Sequence, residues 1–277
     1  MQDVMFVLGA ADPEMNTIEG LLAASGVPFR HASAGGKRVY PANAYRAETP
    51  AEALVVLQRG GLVYLVECVG HAPDGAIRID HHYPGDPGCG RPPADYWQAS
   101  SLGQTVAALT HGIVDGVSIT PAMRMVAAAD HCLGAAYRGE CPGVEPDALM
   151  RWHVASRAAF EGRTERAVMR DVEAARRALR GAPRVELAPG VCAADMRDTP
   201  VRELLMAAAR EGQCCLSAVK ARDGRTKIGC LVGSPTQVET FMQTWAPAQR
   251  LVDVYGDSVR GFAGAYVPQP QGVPRTG

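Results

Sequence analysis

The residues of this chain best suited to do chemistry are Asp80, His81 and His82, which stand in a row where the apolar segment AIRID (76–80) ends. Carboxylate and imidazole groups are costly to remove from water unless they are paired, hydrogen-bonded or bound to a metal. An acid followed by two histidines at the end of a strand therefore raises the question of which other polar side chains meet them.

Further acids follow other apolar runs of the chain. Asp12 and Glu14 come after VMFVL (4–8), and Glu67 comes directly after LVYLV (62–66). Ligands of an open α/β sheet bind beyond the carboxyl ends of its strands. We therefore expect these three acids to lie at the same sheet edge as the two histidines.

Asp130 and His131 lie among alanines in the helical pattern AAADHCLGAAY, where an acid needs a partner. Each residue also has a plainer explanation: Asp12 as a helix cap, Glu67 as a solvated acid, and Asp130 and His131 as structural or surface groups. Taken together, however, oxygen and nitrogen ligands at successive strand ends are what a Mn²⁺ or Mg²⁺ site requires.

The elements that carry these residues alternate between strand and helix. Helical spacing in MNTIEGLLAASG (15–26) follows the first strand, and TPAEALVVLQRGG (49–61) predicts a second helix with Thr49 as its N-cap and Pro50 at its first position. This β-α-β-α order predicts an α/β fold with a doubly wound, mostly parallel sheet. A long, Gly- and Tyr-containing loop is predicted at 31–47, where His31 offers a further imidazole.

The rest of the chain predicts helices and then a second, smaller α/β domain. Helical patterns run to residue 180, and short strands with a hairpin turn at Asp223-Gly224 follow. The predicted organisation is a catalytic domain at 1–163, a connecting helix at 164–182, a smaller α/β domain at 183–268 and a flexible tail at 269–277.

The composition is that of a globular protein, with 47% hydrophobic and 21% charged residues among 277. A net charge of -1 provides no general basic field for binding duplex nucleic acid. No apolar stretch is long enough for a membrane span, and eight scattered cysteines without a CxxC pair predict reduced thiols and a cytoplasmic protein. Homodimer formation stays an open alternative.

The triplet Asp80-His81-His82 at a strand end resembles the signature of the DHH phosphoesterase superfamily, which includes single-strand exonucleases, nano-RNases, cyclic-dinucleotide phosphodiesterases, exopolyphosphatases and manganese pyrophosphatases. The resemblance extends over residues 1 to about 135. GAADPEMNTIEGLL is similar to the first motif of the family, YLVEC to the second and AAADH to the fourth, and ADYWQASSLGQTVAAL is similar to its Ser-rich helix start.

The chain departs from the family pattern at several positions. Leu8 stands where many members have a histidine, and Glu14 and Glu67 stand where the family has aspartates. Glutamate is longer by one methylene, so the geometry of the ligands has to differ. The nearest counterpart of the glycine-rich GGGH-type loop of the family is RGFAGAYV (260–267), which has no histidine.

The resemblance implies metal-assisted hydrolysis of a phosphodiester or phosphoanhydride with Mn²⁺ or Mg²⁺. His82 would contact the phosphate or protonate the leaving oxygen, and Asp80 would bridge metals or orient a ligand. The implied metal ligands are Asp12, Glu14, Glu67, Asp80, His81 and Asp130. The implied substrate-binding residues are Arg225, Lys227, Arg260, Gly261 and Gly264, although a basic hairpin is also compatible with a solvated turn.

Two functions are predicted from this pattern. The first is a phosphoesterase acting on a phosphorylated small molecule, a nucleotide or a short single-stranded oligonucleotide, because an aromatic content of 6% provides few stacking platforms for a long strand. The second is a degenerate DHH-like scaffold that binds a nucleotide or a partner without hydrolysis, which the missing histidine and the two glutamates favour.

Overall fold

The computed structural model describes residues 3–221 and 224–268. The chain divides into two units, one formed by residues 1–131 with 141–144 and the other by residues 132–140 with 145–277. Asp223 of the predicted hairpin turn and the predicted tail at 269–277 lie outside the described residues. The predicted domain boundaries at 163 and 182 stay predictions.

The first unit is built on a parallel sheet of four strands in the order β2-β1-β5-β6. A separate two-stranded hairpin is formed by β3 and β4. The elements are β1 (Val4–Leu8), α1 (Pro13–Ala24), β2 (Phe29–His31), β3 (Ser33–Ala34), β4 (Lys37–Arg38), α2 (Ala51–Gln58), β5 (Leu62–Val66), β6 (Ile77–Ile79), α3 (Tyr96–Ala99), α4 (Ser101–Thr110) and α5 (Pro121–Tyr137). Helix α5 leaves helical geometry at Cys132, where the division between the two units falls. The prediction of an α/β fold with a parallel sheet flanked by helices is confirmed.

The central strands of this sheet are apolar on both faces, as covered parallel strands are. Phe6, Val7 and Leu65 are fully buried. The register aligns Leu8 with Val66, and Val66 with Ile79, so that three strands end at one level. The residues that follow these ends therefore meet at a single edge of the sheet.

Two local predictions for this unit were wrong. Helix α2 begins at Ala51 with Pro50 as its N-cap and without a side-chain cap, because Pro50 keeps an extended backbone (φ -57°, ψ 143°). The predicted loop at 31–47 contains the β3-β4 hairpin and a 3₁₀ helix (Ala44–Arg46).

The second unit contains a mixed sheet of six strands in the order β11-β12-β10-β9-β8-β7. Strands β8 and β9 run parallel, and the other neighbours are antiparallel, including the expected β9-β10 hairpin. A π-helix (Phe241–Trp245) joins α9 to α10. The elements are α6 (Pro146–Glu161), α7 (Glu165–Arg180), β7 (Arg184–Ala188), β8 (Val191–Asp195), α8 (Leu204–Glu211), β9 (Cys215–Lys220), β10 (Thr226–Leu231), α9 (Pro235–Thr240), α10 (Ala246–Ala248), β11 (Val252–Asp257) and β12 (Phe262–Tyr266).

The predicted second α/β unit is thus present, and it includes strand β8, which no local sequence pattern predicts. Its sequence, VCAAD, has small residues and no strong β-branched alternation, so its pairing partners decide its structure. Among the described residues, no helix has both the length and the apolar character needed to cross a membrane.

Candidate metal centre

Four side chains from separate elements of the first unit converge on one point. Ligand atoms of Glu14, Glu67, His81 and Asp130 all lie within 4.8 Å of one another. The Nε2 atom of His81 lies 3.0 Å from Oδ2 of Asp130 and 3.4 Å from Oε1 of Glu67. The chain therefore forms a largely buried cluster of acids and an imidazole that could hold a metal ion.

Glu14 reaches this point because the start of helix α1 is well defined. Asp12 is the N-cap, and its Oδ1 accepts a hydrogen bond of 2.7 Å from the backbone N–H of Met15. Glu14 is only 1% exposed, and its Oε1 accepts a hydrogen bond from the backbone N–H of Leu102 in the first turn of α4. Its second oxygen, Oε2, is buried and accepts no hydrogen bond from the described residues.

Glu67 is placed by a strained turn at the end of β5. Its backbone is left-handed (φ 49°), as is that of Val69 (φ 59°), a conformation that costs a non-glycine residue about 1–3 kcal/mol. Arg78 holds this turn by donating hydrogen bonds to the carbonyl oxygens of Val69 and Gly70. Gly9 permits it, because a Cβ there would overlap the carbonyl oxygen of Glu67.

The electrostatics of the cluster favour a bound cation. Burial, followed by the negative charges of Asp130 and Glu67, raises the pKa of Glu14 well above its ordinary value. The same causes raise the pKa of Asp12 to about 7. A buried carboxylate oxygen without a donor is costly, and within the part of the chain that the structure describes both Oε2 of Glu14 and Oε1 of Glu67 are in that position. Three carboxylates and one imidazole therefore fit a divalent cation with oxygen and nitrogen ligands.

Asp80 makes a different set of contacts. Its Oδ1 accepts hydrogen bonds from the backbone N–H groups of His81 and His82 and lies 2.9 Å from Nδ1 of His82. The hydroxyl of Tyr45 donates to Oδ2 at 2.9 Å. Burial alone would raise the pKa of Asp80, but the hydrogen bonds and charge of His82 and the hydrogen bond of Tyr45 bring this pKa below its ordinary value. These contacts favour an orienting role, and a metal-ligand role for Asp80 stays a prediction.

His82 is oriented by Asp80 and remains partly accessible. An ionised carboxylate only accepts hydrogen bonds, so the Nδ1 atom of His82 carries a proton towards Asp80. The side chain is 32% exposed. His82 also belongs with Glu67 and His81 to a second group that could hold a metal, and this group shares two members with the first.

Three residues that the sequence did not single out support the site. Gln104 holds the backbone of Asp80, with its Nε2 donating to the carbonyl oxygen (3.0 Å) and its Oε1 accepting from the N–H (3.3 Å). Tyr45 and Arg78 act through the contacts described above. Their signal in the sequence is weak, because each belongs to an ordinary helix, turn or strand pattern.

The imidazole of His31, by contrast, is engaged elsewhere. Its Nε2 lies 2.9 Å from Oε2 of Glu19, in a partly exposed ion pair at the edge of the sheet. In residues 3–221 and 224–268, the two groups that could hold a metal do not include His31. The expectation that it supplies a further imidazole to the site is therefore not supported.

Of the residues predicted to bind substrate, Lys227 lines a cavity in the second unit. The cavity has a volume of about 540 Å³ and lies over the sheet face that carries Ser217, Lys227 and Gly229. The ammonium group of Lys227 lies 5.2 Å from the ring of Tyr255, which is also part of the wall. The cavity is mostly apolar, with few polar groups, as small-molecule sites usually are.

The other four residues predicted to bind substrate make local contacts in the same unit. Arg225 pairs with Asp253 and lies over the ring of Tyr266. Gly264 faces the ring of Tyr255, and a Cβ at position 264 would lie only 2.7 Å from that ring. Arg260 and Gly261 belong to the turn between β11 and β12, and Gly261 has a positive φ of 80°. Their role in binding substrate stays a prediction.

Comparison with known proteins found no matching family model and no curated protein of matching sequence.

The chemical capacity of the site follows from its groups. Three carboxylates and an imidazole can bind a divalent cation, and the imidazole of His82, held by Asp80, can exchange a proton beside it.

Proposed function

We propose that this protein is a divalent-metal-dependent phosphoesterase of the DHH type, which hydrolyses a phosphodiester or phosphoanhydride bond. The observation that carries the proposal is the cluster of Glu14, Glu67, His81 and Asp130 beside the Asp80–His82 pair. The chain order of these groups is the order that the superfamily resemblance implies. The proposal includes a DHH-like, doubly wound arrangement of the first unit.

The proposed metal is one Mn²⁺ or Mg²⁺ ion held by the four clustered side chains. When bound, it would supply Lewis-acid chemistry to a phosphoryl oxygen and acidify a coordinated water. Asp12, whose N-cap hydrogen bond uses Oδ1, contributes further negative charge. A single ion is proposed because the two groups that could hold a metal share Glu67 and His81.

The proposed role of His82 is to bind the phosphate and to protonate the leaving oxygen. With its Nδ1–H directed at Asp80, the ring presents Nε2 away from that carboxylate. The negative charge of Asp80 stabilises the doubly protonated ring, whose Nε2–H can then pass to the leaving group. Asp80 in this scheme orients His82 and stabilises its charge.

The proposed substrate is a phosphorylated small molecule, a nucleotide or a short single-stranded oligonucleotide. The aromatic content of 6% supports this choice, because it provides few stacking platforms for a long strand. Taken by itself, the cavity of about 540 Å³ in the second unit has a volume that suits a small ligand. Lys227 offers a cation, and the ring of Tyr255 offers an apolar face to such a ligand.

A second candidate function is binding without hydrolysis. Leu8, which stands where many family members have a histidine, is fully buried in the core of the sheet. A position that offers no imidazole favours a protein with fewer metal ligands than its family. Such a protein would bind a cation and a nucleotide without turnover.

The experiment that tests the proposal measures Mn²⁺-dependent hydrolysis of three substrates: bis(4-nitrophenyl) phosphate, a dinucleotide and a single-stranded oligonucleotide of about five nucleotides. The variants are Glu67→Gln, which removes a clustered carboxylate, and Glu52→Gln as a control at an exposed glutamate of α2. We expect turnover by the wild type and by Glu52→Gln, and at least about a 10- to 100-fold loss of turnover in Glu67→Gln, the usual effect of removing even a group that only supports a metal ligand. Mn²⁺ binding without turnover of any substrate would support the scaffold, and the absence of Mn²⁺ binding would contradict both functions.

A further inference from the structure

His131 is a buried histidine that touches a proposed metal ligand without being one of the four clustered groups. It is 1% exposed, and its ring stacks on that of His81 with centroids 5.2 Å apart. Its Nδ1 lies 3.1 Å from Nδ1 of His81, and its Nε2 lies 3.1 Å from the carbonyl oxygen of Arg91. A carbonyl oxygen, two imidazoles and the acid cluster thus form a chain of contacts.

The carbonyl oxygen of Arg91 sets the direction of the hydrogen bonds in this series of contacts. A carbonyl oxygen only accepts, so Nε2 of His131 carries a proton and donates it to Arg91. In a neutral ring, Nδ1 of His131 is then an acceptor. The only hydrogen on the facing ring that can meet it is the Nδ1–H of His81, so His81 is protonated at Nδ1.

A proton on Nδ1 of His81 determines in turn what Nε2 of the same ring can do. A histidine that binds a metal does so through an unprotonated nitrogen and usually donates its other N–H to a neighbouring acceptor, which fixes the ring. With a proton held at Nδ1, His81 can present the lone pair of Nε2 to the point shared by Glu67 and Asp130, 3.4 Å and 3.0 Å away.

We propose that His131, anchored by the carbonyl of Arg91, is a positioning residue that accepts the Nδ1 proton of His81 and thereby directs the unprotonated Nε2 of His81 to the metal. This inference deepens the proposed function and rests on it for the identity of the ligand site.

A matched pair of variants separates this role from packing. In His131→Asn, Oδ1 stands close to the place of Nδ1 and can accept the proton of His81, whereas His131→Leu has a similar branched shape and no acceptor. Both variants lose the contact with Arg91, so that loss cancels between them. Mn²⁺ affinity is measured by calorimetry, and folding by circular dichroism and thermal melting.

We expect His131→Leu to bind Mn²⁺ about 10- to 100-fold more weakly than the wild type, the usual effect of removing such a supporting group, and His131→Asn to keep wild-type affinity. Equal weakening in two folded variants would show that an acceptor facing His81 makes no difference, and it would overturn the proposal. Wild-type affinity in His131→Leu would also overturn it.

A second measurement is independent of metal binding and of the folding of any variant. Long-range ¹H–¹⁵N correlation spectra of the wild-type protein, with its histidines labelled in both ring nitrogens, report which nitrogen of His131 is protonated. We expect protonation at Nε2 and an unprotonated Nδ1, with His81 protonated at Nδ1. A proton on Nδ1 of His131 would overturn the proposal. The expected pattern in a wild type that binds no Mn²⁺ would sink the proposed metal-dependent function and support the assigned hydrogen bonds.

Discussion

The hydroxyl of Tyr45 lies 2.9 Å from Oδ2 and 3.1 Å from Oδ1 of Asp80. Tyr45 belongs to the 3₁₀ helix between β4 and α2, and its ring also meets that of His82 at a centroid distance of 6.3 Å. The carboxylate of Asp80 therefore accepts a hydrogen bond from the hydroxyl of Tyr45 and also contacts the imidazole of His82, which it orients. The 3₁₀ helix, which carries no catalytic or metal-binding motif, thus supports Asp80 through Tyr45.

Removing this hydroxyl is expected to weaken the fold and to leave the metal cluster intact. Tyr45→Phe should lower the free energy of unfolding by about 1.5–3 kcal/mol, because the lost hydrogen bond is made to a charged acceptor. Its Mn²⁺ affinity should equal that of the wild type, since the hydroxyl of Tyr45 donates to Asp80, which is not one of the four clustered ligands. Urea unfolding and calorimetry measure the two quantities.

The control for this change is Tyr64→Phe. Tyr64 lies on β5 and stacks on Phe6, and among residues 3–221 and 224–268 its hydroxyl makes no hydrogen bond to the protein. The same chemical change there should alter the free energy of unfolding by less than the change at Tyr45. Equal effects at the two positions would mean that the contact with Asp80 contributes little.

The role of Asp80 is tested by Asp80→Asn, which keeps the size of the side chain and removes its charge. If Asp80 orients His82 and stabilises its protonated form, kcat should fall by about 10²–10⁴-fold, the usual contribution of a general acid. The dissociation constant for Mn²⁺ should stay unchanged. A variant that binds Mn²⁺ at least tenfold more weakly would instead make Asp80 a metal ligand. Steady-state kinetics and calorimetry on the same preparation distinguish the two roles.

Glu14 is expected to oppose folding in the metal-free protein. Glu14→Gln keeps the acceptor for the N–H of Leu102 and removes a buried charge beside Asp130 and Glu67, so the melting temperature without metal should rise. Saturating Mn²⁺ should stabilise the wild type by about 2.7 kcal/mol at 100 times the dissociation constant, and it should barely affect the variant.

Thermal melting with and without Mn²⁺ measures both effects of this change. Glu52→Gln, at an exposed position of α2, should respond to Mn²⁺ as the wild type does. A Glu14→Gln protein that is less stable without metal than the wild type would contradict the assigned repulsion among the acids.

The second unit should lose stability in acid because of His153 on α6. Burial, followed by the charge of Arg157, lowers the pKa of His153 from 6.5 to about 4. A folded-state pKa below the unfolded one means that the unfolded chain takes up the proton first. The stabilising contribution is therefore complete above pH 6.5 and is lost as the pH falls from 6.5 to about 4, by about 3 kcal/mol.

The comparison that isolates this group uses His153→Gln. Titration of carboxylates also changes stability in acid, but it is common to both proteins and cancels in the difference between them. The free energy of urea unfolding is measured at pH 7 and at pH 4. We expect the difference between wild type and variant to shift by about 3 kcal/mol between these two values of pH. Parallel acid dependences of the two proteins would show that His153 is protonated alike in the folded and unfolded chains.

The amino-acid sequence by itself determined the strands of the first sheet and the candidates for the site. VMFVL and LVYLV are uninterrupted apolar runs, and both appear as buried parallel strands with the expected bounds. Because parallel strands place their carboxyl ends together, acids after successive strands were expected to converge. Glu14, Glu67, His81 and Asp130 do so.

The tertiary structure alone decided which of the candidate groups share one point and which support them. That choice depends on the level at which Leu8, Val66 and Ile79 end, and on the left-handed turn that directs Glu67. Tyr45 and His131 come close to the triplet only through long-range packing, which no local pattern encodes. Local patterns specify elements, whereas the position of a side chain relative to a distant one depends on register, backbone strain and contacts across the whole unit.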